Sequence, residues 1–366
     1  MQKDHMKQIA ELHELEHDDR PTAVVTVPGI VTFLGEFADY CKGFTLCGAA
    51  PSSLEVAISA RSDQSVRLFM APMKDRKRFN LQNVKYRRED RWANIIKGVV
   101  SVLNSRGFPT GGFNLTFSGK LLAREGSLVN SAIALGTAIA LKQLFHHDLK
   151  QEDCPAIGYS ALASFVGEDC RLVTFLAMLQ VQKDSLLLYD VHHLTYERIP
   201  QLVEDETMLP IIVESKISPH ALKEELAIRR KESKKAFERF RAAFPTGLIR
   251  DVSEQDVKES VGLLSEEDKR ICLYVLSESR LAREGARLLA QKDVVLYGKV
   301  LSKVQAGLRD VFEVTCPEID WLTKRATEIP GCLGATMITT GSSGTILVLL
   351  SPDSLDLYIT RMEEYE

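Results

Sequence analysis

A chain of 366 residues is more than one compact core usually serves, and it points to about two domains. Apolar residues make up 45% and charged residues 26%, which excludes a disordered, collagen-like or coiled-coil chain. Lysine plus arginine (46) against aspartate plus glutamate (50) leaves a net charge of −4, so the chain carries no basic footprint for nucleic acid or an acidic membrane surface.

In chain order, the opening MQKDHMKQIAELHELEHDD reads as a charged helix without an apolar signal core, and a cytoplasmic protein is expected. A β-rich block follows: Thr22–Val27, Leu54–Ala60, Val66–Met70 and Phe113–Ser118 show β-branched or alternating apolar residues bounded by Gly, Pro or Asp. Ser127–Phe145 is a nearly all-apolar helix, hence buried on most faces. Its apolar core, Leu128–Leu141, and the later run Thr345–Leu350 are too short to span a bilayer. Pro155–Phe165 and Arg171–Val181 read as helices and Ser185–Val191 as a strand. From about Pro200 long charged helices take over. Ser218 as N-cap and Pro219 at the first helical position open a helix that runs to Phe244, where Pro245 stops it. Leu222, Leu226, Phe237, Phe240 and Phe244 form its apolar stripe, and the basic run Arg229–Lys235 is expected on solvated faces, interleaved with glutamates. Helices near Glu266–Gln291 and Asp293–Phe312, the strand Thr345–Leu350 and a terminal helix complete the chain, with a domain boundary placed near residue 205.

The seven cysteines are scattered without a C-x-x-C pair, which argues against a disulfide framework or zinc knuckle. The adjacent pairs His146–His147 and His192–His193 point apart on a helix or strand, and no metal site is expected. Three segments carry the candidate chemistry. Val27–Phe44 holds Gly29, Gly35 and Gly43 with Glu36 and Asp39, carboxylates that suit sugar hydroxyls or a cation. Lys120–Leu141 is a loop running into a helix, whose N-terminal N–H groups suit phosphate, but only Gly126 lacks a side chain there. Gly331–Leu350 contains the small polar loop Thr339–Gly344 ahead of a strand.

These segments, in this order, resemble the galactokinase branch of the GHMP small-molecule kinases. The family's first motif reads roughly A-P-G-R-V-N-L-I-G-E-H-T-D-Y-N-G-G-F, and V-P-G-I-V-T-F-L-G-E-F-A-D-Y-C-K-G-F (Val27–Phe44) matches it without a gap. Cys272–Leu289 and Leu308–Leu322 look like the galactokinase C-terminal helical region. The resemblance implies an α+β, two-domain GHMP-kinase fold. Its N-terminal domain would be ribosomal S5 domain 2-like (1–205) and its C-terminal domain ferredoxin-like (206–366), with ATP and sugar bound between them. It implies sugar-binding roles for Glu36, Asp39 and Tyr40.

At other family positions the sequence departs. The assisting Arg falls on Ile30, a His on Phe37, and the base of C-G-I-M-D-Q on Thr174. The phosphate loop G-x-G-L-S-S-S-A aligns with Arg124, Glu125, Gly126, Ser127, Leu128, Val129, Asn130 and Ser131, and the magnesium-binding Glu with about Ala134. The Tyr of E-Y-N-x-R-R becomes Leu226, and M-T-G-G-G-F-G-G keeps Gly341 and Gly344. Base, cation, metal ligands and a loop glycine are thus missing together. The expectation that follows is a catalytically silent galactokinase-like protein, without cofactor or metal, that retains a sugar ligand or serves as a sensor or scaffold. The Arg229–Lys235 stripe would then be a surface for an unknown protein partner, with no role for nucleic acid or membrane. The alternative is an active galactokinase using MgATP, since a lost base alone removes about 10²–10⁴ in rate.

Overall fold

The structure is a computed structural model that describes residues 2–123, 126–200, 208–217, 219–245, 247–260, 262–338 and 344–363. Contacts divide the chain into two units, Met1–Ile30 with Ala49–Val181, and Val31–Gly48 with Gln182–Glu366. The boundary expected at residue 205 lies outside the described residues.

The first unit is built from α1 (Gln2–His17), most of β1 (Ala23–Leu34) and β2 (Phe44–Arg61), β3 (Ser65–Met70), β4 (Asp75–Asn80), α2 (Ala93–Ser105), β5 (Gly112–Ser118), α3 (Ser127–Leu144), α4 (Cys154–Ser160) and α5 (Leu172–Gln180). Its strands run in the order β4-β3-β5-β2; β3 is parallel to β5, the other two pairings are antiparallel, and β1 pairs with β2. Alternation along β5 gives two buried faces. Phe117 lies opposite Val56, and Val56 meets α3 at Gly136, where an added Cβ would come within 2.8 Å of it. The other face carries Asn114 and Thr116 beneath α1.

There His13, fully buried, bonds through Nδ1 with Thr116 Oγ1 (2.9 Å) and through Nε2 with Ser59 Oγ (3.0 Å). Burial, with His17 nearby, pushes its pKa down to about 4. The unfolded chain therefore takes up a proton at this site from about pH 6.5 downward while the folded chain refuses it until about pH 4. Stability present above pH 6.5 is lost across that window, by about 3 kcal/mol in total. Urea melts at pH 7, 5.5 and 4.5 should show this loss, and His13→Gln should flatten it; equal slopes would reject the assignment.

Helix α3 is 18 residues long and apolar enough to reach the minimum of a membrane span, longer than the stretch read from the sequence. It is mostly buried within its own unit, as the core helix of a folded domain is. The helix expected over Pro155–Phe165 holds only as α4; from Ala161 to Val166 the backbone widens into a π-helical turn, ended by Gly167 at φ +79°.

The second unit contains β6 (Ser185–Asp190), β7 (Thr195–Pro200), β8 (Leu209–Glu214), α6 (Pro219–Ala243), α7 (Glu254–Glu259), α8 (Glu266–Ala290), α9 (Val294–Asp310), α10 (Pro317–Thr327), β9 (Cys332–Ile338), β10 (Thr345–Leu350) and α11 (Leu355–Met362). Within it Phe44–Gly48 of β2 pairs with β6, and β6 with β7. A separate antiparallel sheet, β8-β10-β9, is centred on β10, every residue of which is buried. Helix α9 rests on β9 almost backbone to backbone: a Cβ at Gly334 would meet Gly298 O at 2.1 Å. Leu226, Phe237 and Phe240 bury the stripe of α6, whose expected N-cap Ser218 lies outside the described residues. The basic run of α6 is not one solvated stripe. Arg229 pairs with Glu232, Glu267 and Glu313, and Arg230 with Glu36; Lys231, Lys234 and Lys235 are exposed. Both arginines are thus engaged inside the unit, while the three lysines face solvent.

Candidate functional site

The segment Val27–Phe44 divides into strand and turn. β1 continues to Leu34, and the reversal is confined to Gly35–Gly43 before β2 begins. Gly35 at φ +79° opens it, and a side chain there would meet Phe44 O at 2.2 Å. Successive bonds Ala38 N to Gly35 O, Tyr40 N to Phe37 O and Gly43 N to Ala38 O then coil the backbone. From α8 the buried carboxylate of Glu278 accepts two backbone N–H groups, Glu36 N at 3.1 Å and Phe37 N at 3.3 Å, and the next residue's Ser279 Oγ accepts Phe44 N at 2.9 Å. Charge-assisted bonds of this kind, shielded from water, fix a turn more firmly than its own internal bonds.

On this frame Glu36 is buried, with Oε1 accepting from Arg230 Nη2 at 3.2 Å. Tyr40 donates its hydroxyl to Arg230 O and stacks on Phe237 at 6.1 Å. Asp39 is half-buried on the same turn. Phe37, at the position of the family's His, lies fully buried against Tyr274 and Phe312, over which Arg229 is poised at 5.7 Å. It is core here. Leu226, at the family's Tyr, is buried in α6. The Cys41 thiol is pushed up to about 12 by burial and is no nucleophile.

In the first unit Gly126 is the N-cap of α3, at φ +104° and ψ −172°, a conformation essentially restricted to glycine. Among the described residues no side chain caps this helix start, and Val129 N turns back to Gly126 O at 3.2 Å, which leaves the N–H groups of Ser127 and Leu128 suited to an anion. Ser127 is the first helical residue, Leu128 and Val129 are buried, and Ala134 is fully buried. Ser131 is buried with an Oγ that has no hydrogen-bond partner among the described residues. Asn130 Nδ2 donates to Glu168 Oε2 at 2.7 Å. Thr174, at the position of the family's base, and Ile30, at that of its Arg, are both buried. Arg124, Glu125 and Gly341 lie outside the described residues. Gly344 is at φ +95° against Ser215, whose N–H it accepts at 2.8 Å.

Three residues escaped the sequence reading. Glu278 and Arg230 support the turn from helices about 200 residues away in sequence. Glu168 puts a carboxylate beside the first turns of α3, where the motif comparison had found only Ala134 in place of an acid. Its signal was present as Glu168-Asp169, directly before the Cys170 of the aligned base motif. Asn130 and Glu168 put one amide beside one carboxylate, and among the described residues no group of three or more metal-ligating side chains occurs.

Residues 11–60 match the galactokinase galactose-binding signature. The solved galactokinase of Lactococcus lactis complexed with galactose superposes with a TM-score of 0.88 at 20% identity, covering 98% of this chain and 93% of that one. The chain thus has the GHMP-kinase fold. Among sequences, it is 26% identical to the putative galactokinase of Treponema pallidum over 99% of this chain and 91% of that protein. It is 27% identical to the galactokinase of Chloroflexus aurantiacus over 93% and 87%. Within that fold, the chain is similar to the galactokinases, by the signature over residues 11–60 and by alignment along nearly its whole length.

The expectation of a catalytically silent protein is corrected by these matches. Proteins named as galactokinases align with this one nearly end to end, and nothing in the match sets it apart as inactive. The substitutions at Ile30, Thr174 and Ala134 stand at fixed motif positions; the structure places Gly126 at the start of α3 and Glu168 beside Asn130. The family uses MgATP, so the expected lack of a cofactor is not supported either.

Proposed function

We propose that this protein is a working galactokinase, which passes the γ-phosphoryl group of ATP to the anomeric hydroxyl of galactose in the cytoplasm. The observation that carries this reading is the near end-to-end match to galactokinases together with the galactose-binding signature. In the reading, Asp39 accepts hydrogen bonds from the sugar, while Glu36 and Tyr40 hold the turn through Arg230. The start of α3, from Gly126 through Ser127, takes ATP phosphates on its backbone N–H groups. Glu168, beside Asn130, would offer magnesium a carboxylate, and the ion when bound would neutralise phosphate charge. Ser131, Gly341 and Gly344 are kept as loop positions without an assigned contact.

Thr174 cannot act as a carboxylate base, so the proton of the attacking hydroxyl leaves on the transferred phosphoryl group. A loose phosphoryl-transfer transition state demands positioning and charge neutralisation more than base strength. Incubation with MgATP and galactose should give galactose 1-phosphate and ADP in equal amounts. Asp39→Ala should raise the galactose KM about ten- to a hundredfold, the worth of a hydrogen bond to a charged group, and leave the ATP KM unchanged. No product would overturn the proposal, and an unchanged galactose KM in the variant would remove Asp39 from the site.

A further inference from the structure

We propose that a cavity of about 190 Å³ in the second unit, behind the sugar turn, is a binding site for a phosphate-type oxyanion. Its volume is many times what one water needs. Lys42, Arg241, Arg250 and His192 line it, three permanent cations and an imidazole converging on one space, with Gly247 at the rim. A side chain at Gly247 would find nothing within 4 Å, so the approach stays open.

Asp190 pairs with Arg250 and so offsets one of the three cations. It accepts from Arg250 Nη1 (2.6 Å), from His193 Nδ1 (3.0 Å) and from the backbone N–H groups of His192 and His193. Burial alone would raise its pKa, but these donors hold the carboxyl well below the ordinary range. Its lone pairs are engaged, and Arg250, stacked on Phe44 at 4.8 Å, is thereby held in place. Among the described residues no carboxylate pairs with Lys42 or Arg241. Arg241 spends one N–H on Tyr40 O and Arg250 one on Lys42 O, leaving further donors of both guanidinium forks. His192 Nδ1 is buried with no hydrogen-bond partner among the described residues.

Lys42, at φ +52° like eight other described non-glycine residues at positive φ, stands beside two arginines at the position where the compared motif carries glycine. A tetrahedral dianion matches such a set better than a single carboxylate does, because it offers several acceptors to guanidinium forks at once. The contacts of Arg241 and Arg250 with Tyr40 O and Lys42 O tie the site to the turn that carries Asp39, so occupancy would stiffen that turn.

The test is calorimetric titration with inorganic phosphate and, separately, with galactose 1-phosphate at constant ionic strength in chloride. A non-hydrolysable ATP analogue at high concentration keeps the start of α3 filled. Wild-type protein should bind at least one of the two ligands, and Lys42→Gly and Arg241→Gln should each weaken that binding at least tenfold. Lys42→Gly relieves the left-handed backbone and should melt no lower than wild type, so its loss of binding would not reflect misfolding. Equal affinity for both ligands would identify free phosphate as sufficient, and tighter binding of the ester would identify a phosphomonoester. No binding to wild type, or binding unaltered in both variants, overturns the proposal.

Discussion

Glu278→Gln should raise the galactose KM about ten- to a hundredfold and leave the ATP KM where it is. The carboxylate of Glu278 accepts the N–H groups of Glu36 and Phe37 with one oxygen each, and the residue is only 3% exposed. An amide keeps the shape but supplies one acceptor and one donor, so one of the two N–H groups faces another N–H with no water to replace the bond. A buried, charge-assisted bond lost in this way costs about 1.5–3 kcal/mol, more than enough to loosen a nine-residue reversal bounded by Gly35 and Gly43. Glu278→Asp, with the carboxylate retained but withdrawn by one methylene, should fall between the two. Steady-state kinetics with each substrate varied in turn would check this. A galactose KM unchanged in Glu278→Gln, or a parallel rise in both KM values, would show that the clamp does not govern the sugar turn.

Thr174→Asp should raise kcat at least tenfold and lower stability. A positioned general base contributes about 10²–10⁴ in rate, and the aligned family position is an aspartate. Thr174 lies in the first turns of α5 and is 6% exposed, so a carboxylate there is desolvated and costs about 1–3 kcal/mol of folding free energy unless it finds a donor. The variant should also acquire a rise in kcat with pH as its new carboxyl ionises, a profile wild type lacks a group at this position to produce. Stopped assays of galactose 1-phosphate at pH 5 to 8 would decide. A variant that folds and gains nothing would mean that the sugar hydroxyl does not come near position 174.

Much of the fold was legible because its core elements follow simple periodicities. Thr345–Leu350 is a buried central strand, and Ser127–Leu144 an all-round apolar helix. The elements that went unread are those whose sequence hides their role. Strands β4 (DRKRFN) and β7 (TYERIP) lie at the ends of their strand orders, with side chains largely in water, so charge masks the alternation. In β9 (CLGATMI) Gly334 is needed for the approach of α9 and breaks the β-branched pattern. Helix α2 (ANIIKGVVSVLNS) reads as a mixture because Gly98 permits contact with Ala161.

The candidate site was legible in a different way. The motif Val27–Phe44 lies within the matched galactose-binding signature, residues 11–60, but a motif counts side chains at fixed positions. It cannot register that Glu278 and Arg230 support the turn from far along the chain, or that Glu168 stands next to Asn130. Reading absent letters at Ile30, Thr174 and Ala134 as absent function followed from that limitation.

The hydrogen bond between Glu36 and Glu278 joins residues 242 positions apart. During synthesis the ribosome emits the loop early and its clamp late, at about 5–20 residues per second, so the loop waits on the order of ten to fifty seconds for its support. The nascent chain therefore cannot hold this turn in its final form until most of its length has left the exit tunnel.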